Sequence, residues 1–144
     1  MKKILVLNGP NLNLLGAREP EVYGNTSYTE LVASITSLGI ELGLDVDVRQ
    51  SNSEGQLIDW LHEAFSAKMP VVINPAAFTH YSYALRDAVA ALTTASIPVI
   101  EVHISNPQAR EEFRKTSVIS AVASGTIAGF GVASYSLALR QLAS

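Results

Sequence analysis

Apolar positions along the chain alternate between two patterns. Short, nearly unbroken runs rich in Ile, Val and Leu occupy residues 4–7, 46–48, 71–73, 97–102 and 126–130. Such runs predict strands buried on both faces of a sheet rather than strands with one wet face. Between them, Leu31, Ile35 and Leu38, then Leu57, Trp60, Leu61 and Phe65, recur at helical spacing. Ser27-Tyr28-Thr29-Glu30 and Ser53-Glu54-Gly55-Gln56 open these two helices with capping boxes, in which the two end side chains satisfy orphan amides. A third helix is predicted over 83–93, a fourth from Pro107 with Asn106 as its cap, and a last over 133–142.

The resulting βαβαβαβαβα order implies an α/β fold with a parallel sheet covered on both faces, because a parallel crossover takes a dozen or more residues and is right-handed. Strand order is not visible in the spacing. In open sheets of this kind ligands bind beyond the carboxyl ends of the strands, which directs attention to residues 8–28, 74–80 and 103–106.

Composition narrows the classes. The 144 residues suit one domain over 1–144. Charged residues are only 16% against 48% apolar, below the usual ~25% charged, so surface is expected to be hidden in a homo-oligomer. A net charge of −3 offers no basic footprint for nucleic acid or an anionic membrane. The absence of cysteine removes disulfides, zinc-thiolate sites and thiol nucleophiles. Residues 116–139 carry no charge and are long enough to cross a bilayer, but Ser117, Ser120, Ser124, Gly125, Gly129 and Gly131 interrupt them, and they are read as part of a soluble fold. The run at 4–7 is too short for a leader, and the protein is expected to act in the cytoplasm.

The first connection is far longer than the usual two to about six residues of a βα turn. Gly16 and Gly24 bracket a segment, about 16–25, that could move as a lid. Within it Arg18 either pairs with Glu19 or Glu21 at the surface or stands beside Tyr23, where a guanidinium would favour a phenolate able to act as a base. Asn74, at the end of the third strand, is placed to reach a ligand hydroxyl or another loop. His80 could contact substrate or cap the next helix, whose Arg86-Asp87 pair reads as a solvated face. On the fourth strand Glu101 and His103 fall on one side. A carboxylate so placed can orient an imidazole as a general acid, or form an ordinary ion pair. The amides of Ile104 and Ser105 precede a helix start, a natural seat for a carboxylate. Arg110, Glu111, Glu112 and Arg114 read as a solvated face from which Arg114 could still address an anion. His62 is assigned no function.

Other signatures fail. Gly129-Phe130-Gly131-Val132-Ala133-Ser134 lacks the third glycine and the later acidic residue of a dinucleotide loop, and there is neither a Walker A loop nor metal-ligand histidine spacing. A flavin carrier would carry a Ser/Thr-rich first loop, and a phosphoacceptor receiver an aspartate where this chain has Asn74.

Taken together, residues 7–16, then Arg18-Glu19-Pro20 with Tyr23-Gly24, Arg49-Gln50-Ser51-Asn52-Ser53-Glu54-Gly55, Glu101-Val102-His103-Ile104-Ser105-Asn106 and Arg110-Glu111-Glu112-Phe113-Arg114 closely resemble type II 3-dehydroquinate dehydratases over nearly the whole chain. The resemblance implies a flavodoxin-like three-layer fold with strand order 2-1-3-4-5, and a dodecamer of four trimers. It also implies anti elimination of water from 3-dehydroquinate through an enol or enolate, in the shikimate or quinate pathway, without Schiff base, metal or cofactor. On that basis Tyr23 matches the base that removes the C2 proton and Arg18 the lid arginine that keeps it ionised. Asn11 matches the holder of the water that stabilises the enolate, and His103 the acid for the departing C1 hydroxyl, oriented by Glu101. Asn74, His80 and Arg114 match binders of the ring hydroxyls, Ile104 and Ser105 the carboxylate site, and Asp87 a residue that reaches a neighbouring subunit's site. One departure is Ala76-Ala77, where members commonly carry one or two glycines; Phe78 and Tyr81 fall at variable positions.

Overall fold

The structure, a computed structural model, describes residues 1–144. Strand β1 (Lys2–Asn8) leads through a 3-10 turn (Leu12–Leu14) and the short helix α1 (Pro20–Tyr23) into α2 (Tyr28–Glu41). There follow β2 (Leu44–Gln50), α3 (Glu54–Ala67), β3 (Val71–Asn74), a 3-10 segment (Ala76–His80), α4 (Tyr83–Thr94) and β4 (Val99–His103). Two 3-10 turns (Pro107–Ala109 and Glu112–Lys115) precede β5 (Gly125–Ala128) and α5 (Ala133–Ala143). Every strand pairing is parallel, in the order β2-β1-β3-β4-β5 that the resemblance implies.

The strand period divides the core between the two faces of this sheet. Ile4, Val6, Val72, Ile100 and Val102 point toward α2 and α5, meeting Leu31, Ile35, Leu139 and Leu142. Leu5, Leu7, Val71, Ile73 and Val99 point the other way, against Leu57 and Leu61 of α3 and Leu85, Val89 and Leu92 of α4. Each fully buried Leu or Ile stabilises the fold by about 1.5–3 kcal/mol. The central strands are therefore the apolar runs of the sequence, while the edge strand β2, Leu-Asp-Val-Asp-Val-Arg-Gln, exposes its aspartates. No helix is long and apolar enough to cross a membrane.

The Ser27 capping box closes in both directions, Glu30 N–H to Ser27 Oγ at 3.1 Å and Ser27 N–H to Glu30 Oε1 at 3.4 Å. At Ser53 only the forward bond forms, from Gln56 N–H at 3.2 Å, because Ser51 Oγ takes the Ser53 amide at 2.9 Å. Three sequence expectations need correction. Phe65 is exposed, since the buried stripe of α3 runs through Leu57, Leu61 and Ala64 and Phe65 lies about 100° further round. The last strand stops at Ala128 rather than 130, because Gly129 turns to φ +93°. The helix expected from Pro107 is replaced by two separate 3-10 turns. Asn106 does cap the first, accepting from Gln108 N–H at 3.1 Å, but Arg110 then adopts an extended backbone that ends it.

Candidate active site

Asn8 and Asn74 are register partners at the carboxyl ends of β1 and β3. The chain leaves β1 toward β2 on one side and returns to β3 on the other, so this is the point at which strand order reverses and a crevice opens. Gly9 makes the two loops meet there. Its amide donates to the Asn74 carbonyl at 2.8 Å, and a Cβ at Gly9 would stand 2.6 Å from the Pro75 carbonyl oxygen. A cleft lies above, lined by nine residues singled out in the sequence: Asn11, Arg18, Tyr23, Asn74, His80, His103, Ile104, Ser105 and Arg114.

Tyr23 ends α1, inside the long first connection. The Arg18 guanidinium lies 4.9 Å from its ring centroid, so Arg18 addresses the tyrosine rather than a lid carboxylate. A second arginine, Arg110, approaches the ring at 5.2 Å. Arg110 donates to Ser105 Oγ at 3.2 Å and sits 4.0 Å from Glu19. Cations so placed contribute about 0.5–2 kcal/mol each, more as water is excluded. Sequence reasoning missed Arg110: its mixed-charge surroundings resemble a solvated face, and nothing in the spacing brings it across the cleft to the lid.

Opposite, His103 Nε2 and Glu101 Oε2 are 2.5 Å apart, as strand alternation predicts. Glu101 is wholly buried. Burial by itself would raise its proton affinity, but the His103 ring, by hydrogen bond and charge, and the hydroxyls of Ser120 and Thr79 outweigh it and hold the carboxyl below the ordinary carboxylate value. Thr79 Oγ1 donates to Oε2 at 2.6 Å, Ser120 Oγ to Oε1 at 2.5 Å, and Ser117 Oγ to Oε2 at 3.0 Å. His103 Nδ1 makes no hydrogen bond within the chain.

The binding candidates are held by identifiable partners. Asn74 accepts from Ala76 N–H at 3.1 Å and donates to the fully buried Tyr135 hydroxyl at 2.9 Å. Tyr135 in turn donates to Asn8 Oδ1 at 2.6 Å, and burial raises its pKa. His80 Nδ1 donates to the Thr116 carbonyl at 2.8 Å, which leaves Nε2 without a partner in the chain. Arg114 is steadied by Glu111 at 3.1 Å. The Ile104 and Ser105 amides find no backbone acceptor and remain available to an anion, although a single 3-10 turn rather than a helix follows them. Asn11 stands at φ +70°, its carboxamide free of partners. Asp87 lies outside the cleft, exposed on α4 and paired with Arg86 at 3.0 Å. No three His, Asp or Glu side chains converge as a metal site.

The cleft therefore brings together a tyrosine beside two guanidinium groups and an imidazole backed by a buried carboxylate, with amide and guanidinium donors lining the same space. This arrangement can remove one proton, deliver another, and hold an anionic polyol. A profile of the family described as "Dehydroquinase class II" matches residues 2–143. The 3-dehydroquinate dehydratase of Pelotomaculum thermopropionicum is 58% identical over 141 residues, covering 98% of this chain and 96% of that one. That of Mycobacterium tuberculosis is 57% identical over 138 residues, 96% and 92% of the two chains. The crystal structure of type II dehydroquinase from Propionibacterium acnes superposes with a TM-score of 0.96 at 55% identity, covering 99% of this chain and 97% of that one.

Proposed function

We infer the working of the site from one premise: this chain belongs to the class II dehydroquinase family, and it converts 3-dehydroquinate to 3-dehydroshikimate as a hydro-lyase. Tyr23, as phenolate, takes the proton from C2. The C–H electron pair moves into the ring carbonyl to give an enolate, whose oxygen is met by a water held at Asn11. His103 then protonates the C1 hydroxyl, which departs as water on the opposite face as the carbon–carbon double bond forms. Glu101 orients His103 throughout. The ring hydroxyls are bound by Asn74, His80 and Arg114, and the carboxylate by the Ile104 and Ser105 amides.

One observation carries these roles: Tyr23 lies against two guanidinium groups in the same cleft as an imidazole bonded to a buried carboxylate. A C2 proton next to a ketone is weakly acidic, so base, enolate support and leaving-group acid share the barrier, each about 10²-fold or more. The lid at 16–25, with Gly16 at φ +91° and Gly24 at φ +84°, excludes water when it closes. The scheme needs no cofactor. The test is the growth of enone absorbance from 3-dehydroquinate, insensitive to borohydride. Tyr23→Phe must abolish it, and wild-type turnover in that variant would overturn the assignment.

The chain is taken as a single catalytic domain, both cores being built on one sheet. Exposed Tyr81, Tyr83, Phe113 and Phe130, together with the low charge content, support assembly into a dodecamer of four trimers. Asp87 of one copy would then reach a neighbour's cleft. Sedimentation of an active monomer would refute this. The free polyhydroxy-acid substrate supports a cytoplasmic place of action.

A further inference from the structure

The uncharged stretch 116–139 holds two serines that the reaction scheme leaves without a task, and both meet Glu101. Ser117 Oγ accepts from the Ile119 amide at 3.2 Å and the Ser120 amide at 3.1 Å. With its lone pairs so occupied, its own proton has to be donated, and Glu101 lies at 3.0 Å. Thr79 Oγ1 is 2.7 Å from the same Ser117 oxygen, which is already saturated as an acceptor, so the Thr79 proton goes to Glu101 Oε2 at 2.6 Å. Ser120 donates to Oε1 at 2.5 Å while accepting from Thr126 at 3.4 Å. Three hydroxyls therefore donate to one carboxylate, and toward each of them Glu101 acts as an acceptor.

We propose that Thr79, Ser117 and Ser120 are positioning residues that keep Glu101 a pure acceptor, so that His103 carries its fixed proton on Nε2 and delivers the catalytic one from Nδ1. This inference deepens the assignment of His103 as acid and rests on it. Nε2–H points at Oε2, and Nδ1 is the ring nitrogen with no partner in the chain. In the elimination the Nδ1–H bond breaks and an O–H bond forms on the C1 hydroxyl. The C–O electron pair leaves with the water, and the imidazole ends neutral with Nε2 still protonated. Loss of one hydroxyl lets Glu101 turn or take up a proton, and the imidazole is then no longer held toward the leaving group.

The experiment combines kinetics with histidine nitrogen NMR. Ser120→Ala, Ser117→Ala and the isosteric Thr79→Val are each expected to lower kcat by about tenfold, a fraction of a general acid's usual 10²–10⁴, with KM changed less than about twofold. Ser120→Thr, which keeps the hydroxyl, is expected to restore most of kcat. In a Glu101→Gln background Ser120→Ala should cost less than about a further twofold, because residues that act through one another are non-additive. Additive losses, or full kcat in the Ser117→Ala/Ser120→Ala protein, would overturn the proposal. So would wild-type protein whose neutral His103 carries its proton on Nδ1, a result that needs no variant to fold. Failure of the underlying assignment is distinguishable: there His103→Ala and Glu101→Gln would themselves retain wild-type kcat.

Discussion

The Arg110 guanidinium stands 5.2 Å from the centre of the Tyr23 ring, so the lid tyrosine is gripped from the body of the protein as well as by its lid neighbour Arg18. The two cations come from different segments: Arg18 shares residues 16–25 with Tyr23, whereas Arg110 is anchored to Ser105 beyond β4.

Arg18→Ala and Arg110→Ala are each expected to lower kcat by about tenfold to a hundredfold, within the range for a compromised general base. Neither side chain belongs to the two buried cores, so melting temperature should move by only ~2 °C. Stopped-flow turnover and calorimetry on the same preparations check the pair. A loss of activity matched by an equal loss of stability would mark the arginines as structural.

Glu101 sets an acid limit on stability. Its folded-state pKa lies below the ordinary 4.5, so between the two values the unfolded chain binds more protons and stability rises with pH. The contribution is complete above the unfolded value and is lost as pH falls through the folded one. Glu101→Gln should therefore flatten the decline of the urea midpoint between about pH 5 and pH 3. At neutral pH it should be the less stable protein, because one amide cannot accept from four donors.

Much of this was legible from residue order, and the exceptions have physical causes. Residues 4–7 and 71–73 read as buried strands because both sheet faces are covered, which forces continuous apolar runs. Glu101 and His103 were paired by the strand period alone. Arg110 was not found, because its meeting with Tyr23 depends on two long loops crossing above the sheet. Thr79, Ser117 and Ser120 were equally silent: they lie 22, 16 and 19 residues from Glu101 and carry no charge to mark them. Strand order came only from family resemblance, since local spacing does not encode which parallel strands are neighbours.

Ala76 occupies a glycine position. At φ +53° it holds a left-handed conformation that costs a residue with a Cβ about 1–2 kcal/mol. Ala76→Gly removes that strain and adds about 0.4–1 kcal/mol of unfolded-state entropy to be lost, leaving a net gain of about 0.5–1 kcal/mol. Ala77→Gly, one residue on and without a positive φ, should destabilise instead. Paired thermal melts of the two variants give opposite signs if backbone strain is the cause.

The polar chain beneath the cleft provides the largest stability change expected from a single atom. Tyr135 Oη donates to Asn8 Oδ1 at 2.6 Å and accepts from Asn74 Nδ2 at 2.9 Å, all three groups being buried. Tyr135→Phe keeps the ring and its packing against α2 and the sheet but leaves a donor and an acceptor unpaired. Each unpaired buried group costs about 1–3 kcal/mol, so a loss of at least ~2 kcal/mol, or roughly 4–8 °C in melting temperature for a chain of this size, is expected. Because burial pushes the Tyr135 pKa up, the hydroxyl stays neutral and the loss should be the same from pH 6 to pH 9. A double-mutant cycle with Asn8→Ala should show a coupling of at least about 0.5 kcal/mol. Additivity there, or a loss that varies across that pH range, would mean that the hydroxyl does not bridge the ends of β1 and β3.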